Sequence, residues 1–262
     1  MAGPARRPRR VRVLGARLAV LALVFAVWQL LPQSVLPDYA FGRPAGVLAA
    51  LVSLISSGTA FIATAETLRT TLLGILVAAP IGILVAFAAA AAVGAWVIEP
   101  VTTVLYATPK VGLISLFILW FGLSTRGHFA LVLMTVGPVF YYAARQGLSE
   151  VDPNTVIAFR LMGAGRLKIA RSLVIRSMTP NLLGVTRLAF PIAFGATVFA
   201  ELRVPVGVNL GALLSRYALA LDGDNTVAIM LIMGVVAYIL DVAISRPLRA
   251  YAQRTGTGIP AV

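Results

Sequence analysis

Six long apolar runs divide this sequence, and most are close to the length of a membrane-crossing helix. A helix needs about twenty predominantly apolar residues to cross the hydrocarbon core of a bilayer. The chain is 60% hydrophobic and 12% charged, which leaves too little polar surface to cover a soluble globule. We therefore predict an all-α membrane protein with about six transmembrane helices. The predicted spans are 13–31, 68–93, 101–123, 129–144, 182–202 and 226–244.

The domain organisation is predicted to be simple. Residues 1–12 form a basic N-terminal tail, residues 13–254 form one transmembrane domain, and residues 255–262 form a flexible C-terminal tail. The first apolar run is long enough to span and no clear cleavage site follows it, so we interpret it as an anchor rather than a signal peptide. A shorter apolar segment, 46–55, is predicted to lie at the membrane interface.

The third span is the least regular of the six. It contains Pro109 followed by Lys110. Proline lacks the backbone N–H that a helix interior needs. A kink or break is therefore expected near these residues.

Basic residues predict the orientation of the spans. If the N-terminus is cytosolic, 17 of the 22 Lys and Arg residues fall on the inside and five fall at or near the outside. This asymmetry follows the positive-inside rule, so both termini and the loop at 150–180 are predicted to be cytosolic. The net charge of +13 is explained by topology, and we expect no binding to nucleic acid.

The loop between the fourth and fifth spans carries the signals of a small helix. Asp152 suits the cap before a helix, and Pro153 suits the first helical position. Gly163 suits the left-handed conformation that closes a helix. A second short helix over 166–178 is predicted to end at Pro180.

The first of these short helices is unusually apolar for a loop that faces water. Its apolar side chains are predicted to be exposed, and an exposed apolar patch on a loop is typical of a docking site for a partner protein. The apolar residues are Val156, Ile157, Phe159, Leu161 and Met162.

Three stretches resemble the permease subunits of bacterial type I ABC importers. They are A-T-P-K-V-G-L-I-S-L-F-I-L-W-F-G at 107–122, G-L-S-E-V-D-P-N-T-V-I-A-F-R-L-M-G-A at 147–164, and the pair Ala200-Glu201. The resemblance is to the group that imports sulfonates, taurine, nitrate and thiamine or riboflavin precursors. It covers most of the chain and implies the type I permease fold, with a cytosolic coupling-helix loop between helices four and five.

The second stretch is similar to the family's EAA loop, which forms the coupling helix for the ATPase. Ala158 and Gly163 fit the pattern, whereas Ile157 replaces the family's Glu and Phe159 replaces its second Ala. Arg176 stands where the first of two downstream prolines is common. The resemblance implies an ATPase-coupling role for Asp152, Pro153, Ile157, Ala158, Phe159, Gly163, Ala164 and Pro180.

Coupling to ATP implies a second polypeptide, because this sequence contains no G-x-x-x-x-G-K-[ST] motif. Lys110 and Lys168 are not preceded by the glycines that a phosphate cradle needs. We expect no catalytic residue, no metal site and no cofactor in this chain, with ATP bound by the partner. ATP hydrolysis would therefore belong to separate ABC ATPase subunits.

The resemblance also implies further partners and a cellular location. A second permease, either another copy or a paralogue in a heterodimer, would complete the pathway in the bilayer. An extracytoplasmic substrate-binding protein would deliver the solute, which is expected to be sulfonate-, nitrate- or vitamin-precursor-like. The protein is expected in the bacterial cytoplasmic (inner) membrane.

Glu201 at the end of the fifth span has several open interpretations. Ionisable groups at membrane depth are often functional, so this carboxylate is a candidate contact for the pathway or for the binding protein. It is equally a candidate for an ion pair with Arg203 or for solvation by interfacial water.

The remaining ionisable residues have ordinary interpretations. Asp241 is expected to pair with Arg246 or Arg249. Glu66 and Arg69 are spaced for a pair on a helix surface. The single histidine, His128, is expected to be a solvated loop residue.

Two alternatives compete with the permease interpretation. A stand-alone secondary transporter usually needs more spans or inverted repeats with broken helices. An intramembrane hydrolase needs a Ser–His or Asp–Asp arrangement within the spans, but Asp222 and Asp224 lie in a loop. We conclude that the sequence predicts a permease subunit that forms half of a translocation pathway.

Overall fold

Helices make up nearly all of the chain that the structure describes. The computed structural model describes residues 19–20, 22–30, 37–90 and 94–255. A short π-helical stretch, Ala170–Val174, joins the ninth and tenth helices. In chain order the helices are α1 (22–30), α2 (Asp38–Phe41), α3 (Pro44–Ser56), α4 (Thr59–Ala89), α5 (Gly94–Ala107), α6 (Lys110–Phe121), α7 (Thr125–Ser149), α8 (Pro153–Leu161), α9 (Arg166–Ile169), α10 (Ile175–Arg203), α11 (Leu210–Leu219) and α12 (Gly223–Thr255).

Four helical segments in the described residues are long and apolar enough to cross a membrane. They are Thr59–Ala89, Thr125–Ser149, Arg166–Arg203 and Gly223–Leu248. A fifth is present if the bent pair α5 and α6 forms one span. These helices confirm the all-α membrane fold. Of the predicted first span, 13–31, the structure describes residues 19–20 and 22–30. The predicted tails at 1–12 and 255–262 lie outside the described residues except for Thr255, which is the last residue of α12.

The third predicted span is broken where the sequence predicts a break. The axes of Gly94–Ala107 and Gly112–Phe121 differ by 105°. Pro109 precedes α6 in an extended conformation, with φ −62° and ψ 109°. Because proline cannot donate a backbone hydrogen bond and disfavours helical geometry in the residue before it, the chain turns at this point.

The prediction that Pro180 ends a helix is wrong. The helical path runs without a stop from Arg166 to Arg203 and includes Pro180. Proline removes one backbone hydrogen bond, and packing against a neighbouring helix offsets that loss. Met178 is buried against α7, and the Ser177 hydroxyl donates to the Gly147 carbonyl at 2.9 Å.

Helices α4, α7 and α10 form the centre of the bundle, and small residues let their backbones approach closely. A Cβ at Gly82 on α4 would lie 2.5 Å from the Gly137 carbonyl oxygen on α7. A Cβ at Gly147 on α7 would lie 2.5 Å from the Cα of Met178 on α10. The two ends of the loop that carries α8 are therefore fixed to one another.

The short apolar segment predicted at 46–55 is helix α3, which packs against α12. Its buried face consists of Val47, Ala50 and Leu54, which share a cluster with Ala228 and Ile229. The contact explains how a helix too short to span keeps its place beside the bundle.

We expect Gly147→Ala to destabilise the bundle, because its Cβ has no room against Met178. The free energy of unfolding should fall by about 1–3 kcal/mol, the usual cost of overpacking. The control is Gly137→Ala on the same helix, where a Cβ would meet nothing within 4 Å. Unfolding of both purified variants in detergent measures the difference. Equal stability of the two variants would contradict the close contact.

Candidate functional site

The loop between α7 and α10 begins with a well-made helix cap. The Asp152 carboxylate accepts hydrogen bonds from the Asn154 N–H at 3.0 Å, the Thr155 N–H at 3.2 Å and the Thr155 hydroxyl at 2.8 Å. The Thr155 hydroxyl, followed by the Asn154 N–H, holds the pKa of Asp152 below its usual value. Pro153 occupies the first helical position. The predicted start of α8 is confirmed.

The end of α8 is equally well defined. Gly163 has φ +78°, so it adopts the predicted left-handed conformation. The Gly163 N–H donates to the Arg160 carbonyl at 2.9 Å, and the Ala164 N–H donates to the Phe159 carbonyl at 2.9 Å. This pair of bonds is the Schellman motif, which closes a helix and turns the chain.

Between these two ends α8 exposes a row of apolar side chains. Leu161 is 84% exposed, and Ile157, one turn earlier on the same face, is also exposed. Met162 and Leu167 continue the apolar patch beyond the helix end. Helix α8 is not part of any of the candidate spans among the described residues.

The structure brings seven of the eight predicted coupling residues into one loop, from Asp152 to Ala164. Ala158 is exposed, and Phe159 and Ala164 are half-buried. Pro180 is separate from them and lies within α10.

Two polar contacts that the sequence did not predict join the end of α7, where this loop begins, to α10 and to α5. The Asn181 side-chain amide on α10 donates to the Glu150 carboxylate at 3.1 Å. Arg145 near the end of α7 forms an ion pair with Glu99 on α5 at 2.6 Å. These residues are far apart in sequence and share no motif, so only the packing of the helices brings them together.

Asp241 pairs with Arg187 rather than with Arg246, and the Arg249 side chain lies outside what the structure describes. Its carboxylate lies 3.6 Å from the Arg187 guanidinium on α10 and accepts the Ser245 hydroxyl at 3.0 Å. Arg246 follows five residues later, on a different face of the helix from Asp241. The predicted pair of Glu66 and Arg69 is present at 3.6 Å.

Glu201 lies at the end of α10 farthest from the loop, and the structure buries it. Only 1% of the surface of Glu201 is exposed. Its carboxylate accepts a hydrogen bond from the Thr67 hydroxyl at 2.8 Å and from the Gly211 N–H at 3.1 Å. Arg203 instead lies over the Phe199 ring. The expected alternatives of an ion pair with Arg203 and of interfacial solvation are therefore wrong.

The same contacts organise the first turn of α11. The Leu210 N–H donates to the Thr67 hydroxyl at 3.0 Å, and the Ala212 N–H donates to the Asn209 side chain at 2.8 Å. Asn209 is a helix cap that its residue type could have revealed, since asparagine is a preferred cap. No local signal in the sequence points to Thr67.

His128 is buried, so the prediction of a solvated loop histidine is wrong. Helix α7 begins at Thr125, which places His128 in its first turn. Its Nε2 lies 2.8 Å from the Val204 carbonyl oxygen. Because a carbonyl only accepts hydrogen bonds, Nε2 is the donor, and the contact joins α7 to the chain just after α10.

A cavity of about 520 Å³ opens between α4, α6 and α7, at the end of the bundle opposite the loop. Arg126 has no ion-pair partner among the described residues, whereas Arg69 is shared with Glu66. The lining therefore offers one uncompensated positive charge beside hydroxyl and aromatic groups. The polar and aromatic lining residues are Glu66, Arg69, Thr70, Phe121, Thr125, Arg126 and Phe129.

Comparison with known families identifies the architecture. Residues 78–256 match a family described as "Binding-protein-dependent transport system inner membrane component". The chain belongs to this family. It is a permease subunit of an ABC transporter, with the fold of the type I importer permeases. Membership favours this interpretation over the stand-alone secondary transporter.

Two groups of solved structures share the fold. An inward-facing conformation of the MetNI methionine ABC transporter is 16% identical with a TM-score of 0.57, and the match covers 79% of this chain and 94% of that chain. A crystal structure of an amino acid ABC transporter with histidines is 15% identical with a TM-score of 0.63, covering 78% of this chain and 98% of that chain. No curated protein sequence matches the chain.

We expect Gly163→Ala to loosen the end of α8. A Cβ at Gly163 would meet nothing within 4 Å, so the only penalty is the left-handed backbone, about 1 kcal/mol. Amide hydrogen exchange at Ala164 should accelerate about fivefold. Gly165→Ala is the control, since Gly165 has an ordinary φ of −68° and open space. The same acceleration in the control would contradict the assigned role of Gly163.

Proposed function

We propose that this chain is the permease subunit of a binding-protein-dependent importer and that the loop at 150–180 couples it to ATP hydrolysis by separate ATPase subunits. The observation that carries the proposal is the exposed apolar face of α8, around Ile157 and Leu161. An apolar patch in a loop outside the spans needs a protein partner. An ATPase subunit is the partner that an ABC permease requires.

The shape of the loop supports a mechanical role. Asp152 and Pro153 define the start of α8, and Gly163 and Ala164 define its end, so the helix presents a fixed face. Ile157, Ala158 and Phe159 lie within it and would contact the ATPase. A rigid docking helix transfers a displacement to the spans, whereas a flexible loop would absorb it.

Transport then follows from two arrangements of the same bundle. Closure of the ATPase pair around ATP would move α8, and the spans would follow as rigid bodies. Each arrangement is stabilised by a different state of the ATPase, which is the requirement for a ligand to shift a conformational equilibrium. Pro180 lies in α10, the helix that would carry this movement, and not in α8, the helix that would dock on the ATPase.

The assembly and the membrane orientation belong to the proposal as well. Two ATPase subunits bind ATP on the cytosolic side, and a second permease, a copy or a paralogue, completes the pathway. A substrate-binding protein docks on the extracytoplasmic side of the inner membrane. The excess of basic residues supports placing the loop and both termini in the cytosol. The two tails, 1–12 and 255–262, would flank a single membrane domain at 13–254 in the sequence.

The transported solute is proposed to be a small organic or inorganic anion of the sulfonate or nitrate type. In the orientation above, the cavity of about 520 Å³ lies at the outer end of the bundle. Its volume suits a small solute. Arg126 and Arg69 supply positive charge against the single carboxylate of Glu66, and this balance favours an anion over a neutral vitamin precursor.

The test of coupling is co-purification of an ATPase with the tagged chain from its native membrane in mild detergent. We expect Leu161→Asp to lower the amount of bound ATPase at least about tenfold, because it places a charge in an apolar contact. Leu219→Asp is the control, since Leu219 is 82% exposed and Leu161 is 84% exposed, but Leu219 lies on α11. Undiminished ATPase binding by Leu161→Asp would show that α8 is not the docking helix.

The test of the solute class is uptake of labelled nitrate and of labelled methanesulfonate by the intact complex in proteoliposomes. We expect Arg126→Ala to lower uptake about tenfold at low salt and less at high salt, because the exposed charge attracts anions over a distance that salt shortens. Arg216→Ala is the control, since it removes the same charge from α11, outside the residues that line the cavity. Unchanged uptake in Arg126→Ala would reject the anion cavity.

A further inference from the structure

We infer that Glu201 is a positioning residue that fastens α11 to the far end of α10, so that α11 follows the movement of the coupling loop. The inference rests on the proposed function of the loop at 150–180. It assigns Glu201 to a contact inside the subunit rather than to the solute or to a binding protein. Its structural basis is a chain of contacts that runs from α11 through Glu201 to the start of the long helix.

The first link is the hydrogen bonding of the α11 N-terminus. A helix leaves its first N–H groups without partners inside the helix. Here the N–H of Leu210 is bonded to Thr67 on α4, and the N–H of Gly211 is bonded to Glu201 on α10. The Thr67 hydroxyl also donates to the Glu201 carboxylate. One end of α11 is therefore bonded to two different spans.

The second link is burial, which makes these bonds costly to break. Glu201 is 1% exposed, and Thr67 and its neighbours Thr71 and Thr197 are fully buried. A buried carboxylate that loses its donors has no water to replace them. The contact between α10 and α11 is therefore expected to persist while the helices move.

The third link is steric. A Cβ at Gly211 would lie 2.5 Å from Glu201 Cβ and 2.5 Å from the Val198 carbonyl oxygen. Helices α10 and α11 thus touch through their backbones at this point. There is no gap in which α11 could shift independently of Glu201.

The fourth link is the continuity of the helix that ends at Glu201. The helical path Arg166–Arg203 contains 38 residues and begins inside the coupling loop, shortly after the end of α8. At about 1.5 Å per residue it extends about 57 Å. A displacement of its first turn therefore reaches Glu201 along one helical path, in which the π-helical stretch Ala170–Val174, Pro180 and Pro191 are the points where the helix can bend.

A second contact holds the far end of α10 in register with α7. The His128 Nε2–H donates to the Val204 carbonyl at 2.8 Å, and both residues are buried. Because α7 and α10 flank the loop at one end and are bonded at the other, the two helices can move as one body. Helix α11 then moves with them.

The consequence is that the nucleotide state of the ATPase changes the position of α11. Its exposed tip carries Leu219 and Leu221, the latter in a left-handed conformation with φ 56°. In the proposed orientation this tip faces the side from which a binding protein delivers solute. A signal from inside would therefore reach the outer surface through Glu201.

The experiment uses the absence of cysteine from the sequence. Leu219→Cys, labelled with an environment-sensitive fluorophore, reports the surroundings of the α11 tip in the intact complex purified with its ATPase. Trapping with ATP and vanadate should change the emission of this label in the chain that carries only the Leu219→Cys substitution. Glu201→Ala should reduce that change at least about threefold while the basal ATPase rate stays within about twofold.

Two further variants separate positioning from a general loss of structure. Glu201→Gln should restore the signal, because its amide oxygen can accept both hydrogen bonds. Thr186→Val is the control, since the Thr186 hydroxyl donates within α10 to the Leu182 carbonyl at 2.7 Å, and it should leave the signal unchanged. If Glu201→Ala does not yield a folded complex, Thr67→Val replaces it, since it keeps the side-chain shape and removes the hydroxyl.

The outcomes are distinct. A full signal in Glu201→Ala or Thr67→Val overturns the inference, and so does an equal loss in Glu201→Gln or Thr186→Val. If the ATPase binds and is trapped but the Leu219 label of the otherwise unsubstituted chain does not respond, this inference alone fails. If no ATPase co-purifies with the unsubstituted chain, the proposed function itself fails.

Discussion

The close contact between α7 and α10 at Gly147 is the interaction on which the rest of the structure depends. Met178 packs directly on the Gly147 backbone, and Ser177 bonds to its carbonyl. This contact brings together the two ends of the loop that carries α8. It also supports the helix through Pro180, where proline alone would favour a stop. A larger residue at position 147 would separate the helices and remove the base of the loop.

The polar groups of this apolar chain are concentrated where the helices must keep their relative positions. Near the loop, Glu150 bonds to Asn181. At the opposite end, Glu201 bonds to Thr67 and to the start of α11. In an apolar environment each such group needs a partner, so it fixes the register of two helices more firmly than apolar packing does. The central helices are thereby defined at both ends.

The sequence predicts those features that depend on the conformational preferences of neighbouring residues. Asp152, Pro153 and Gly163 mark the ends of α8 by their own conformational preferences, and the break at Pro109 follows from its missing N–H. Prediction failed where the outcome depends on packing between distant segments. The helix continues through Pro180 because α10 packs against α7 there. His128 is buried because α7 begins three residues before it, so this histidine belongs to the helix and not to a loop. The contact of Glu201 with Thr67 joins residues 134 positions apart, which no local pattern reveals.

The most direct test of the central claim is photo-crosslinking from position 161 in the native membrane, using a benzophenone amino acid in place of Leu161. We expect a covalent adduct with a protein that contains a nucleotide-binding motif, identified by mass spectrometry. The yield should depend on whether ATP and vanadate are present, because the docked helix moves with the ATPase. Adducts with lipid alone, or with proteins that bind no nucleotide, would contradict the assignment of α8 as the coupling helix.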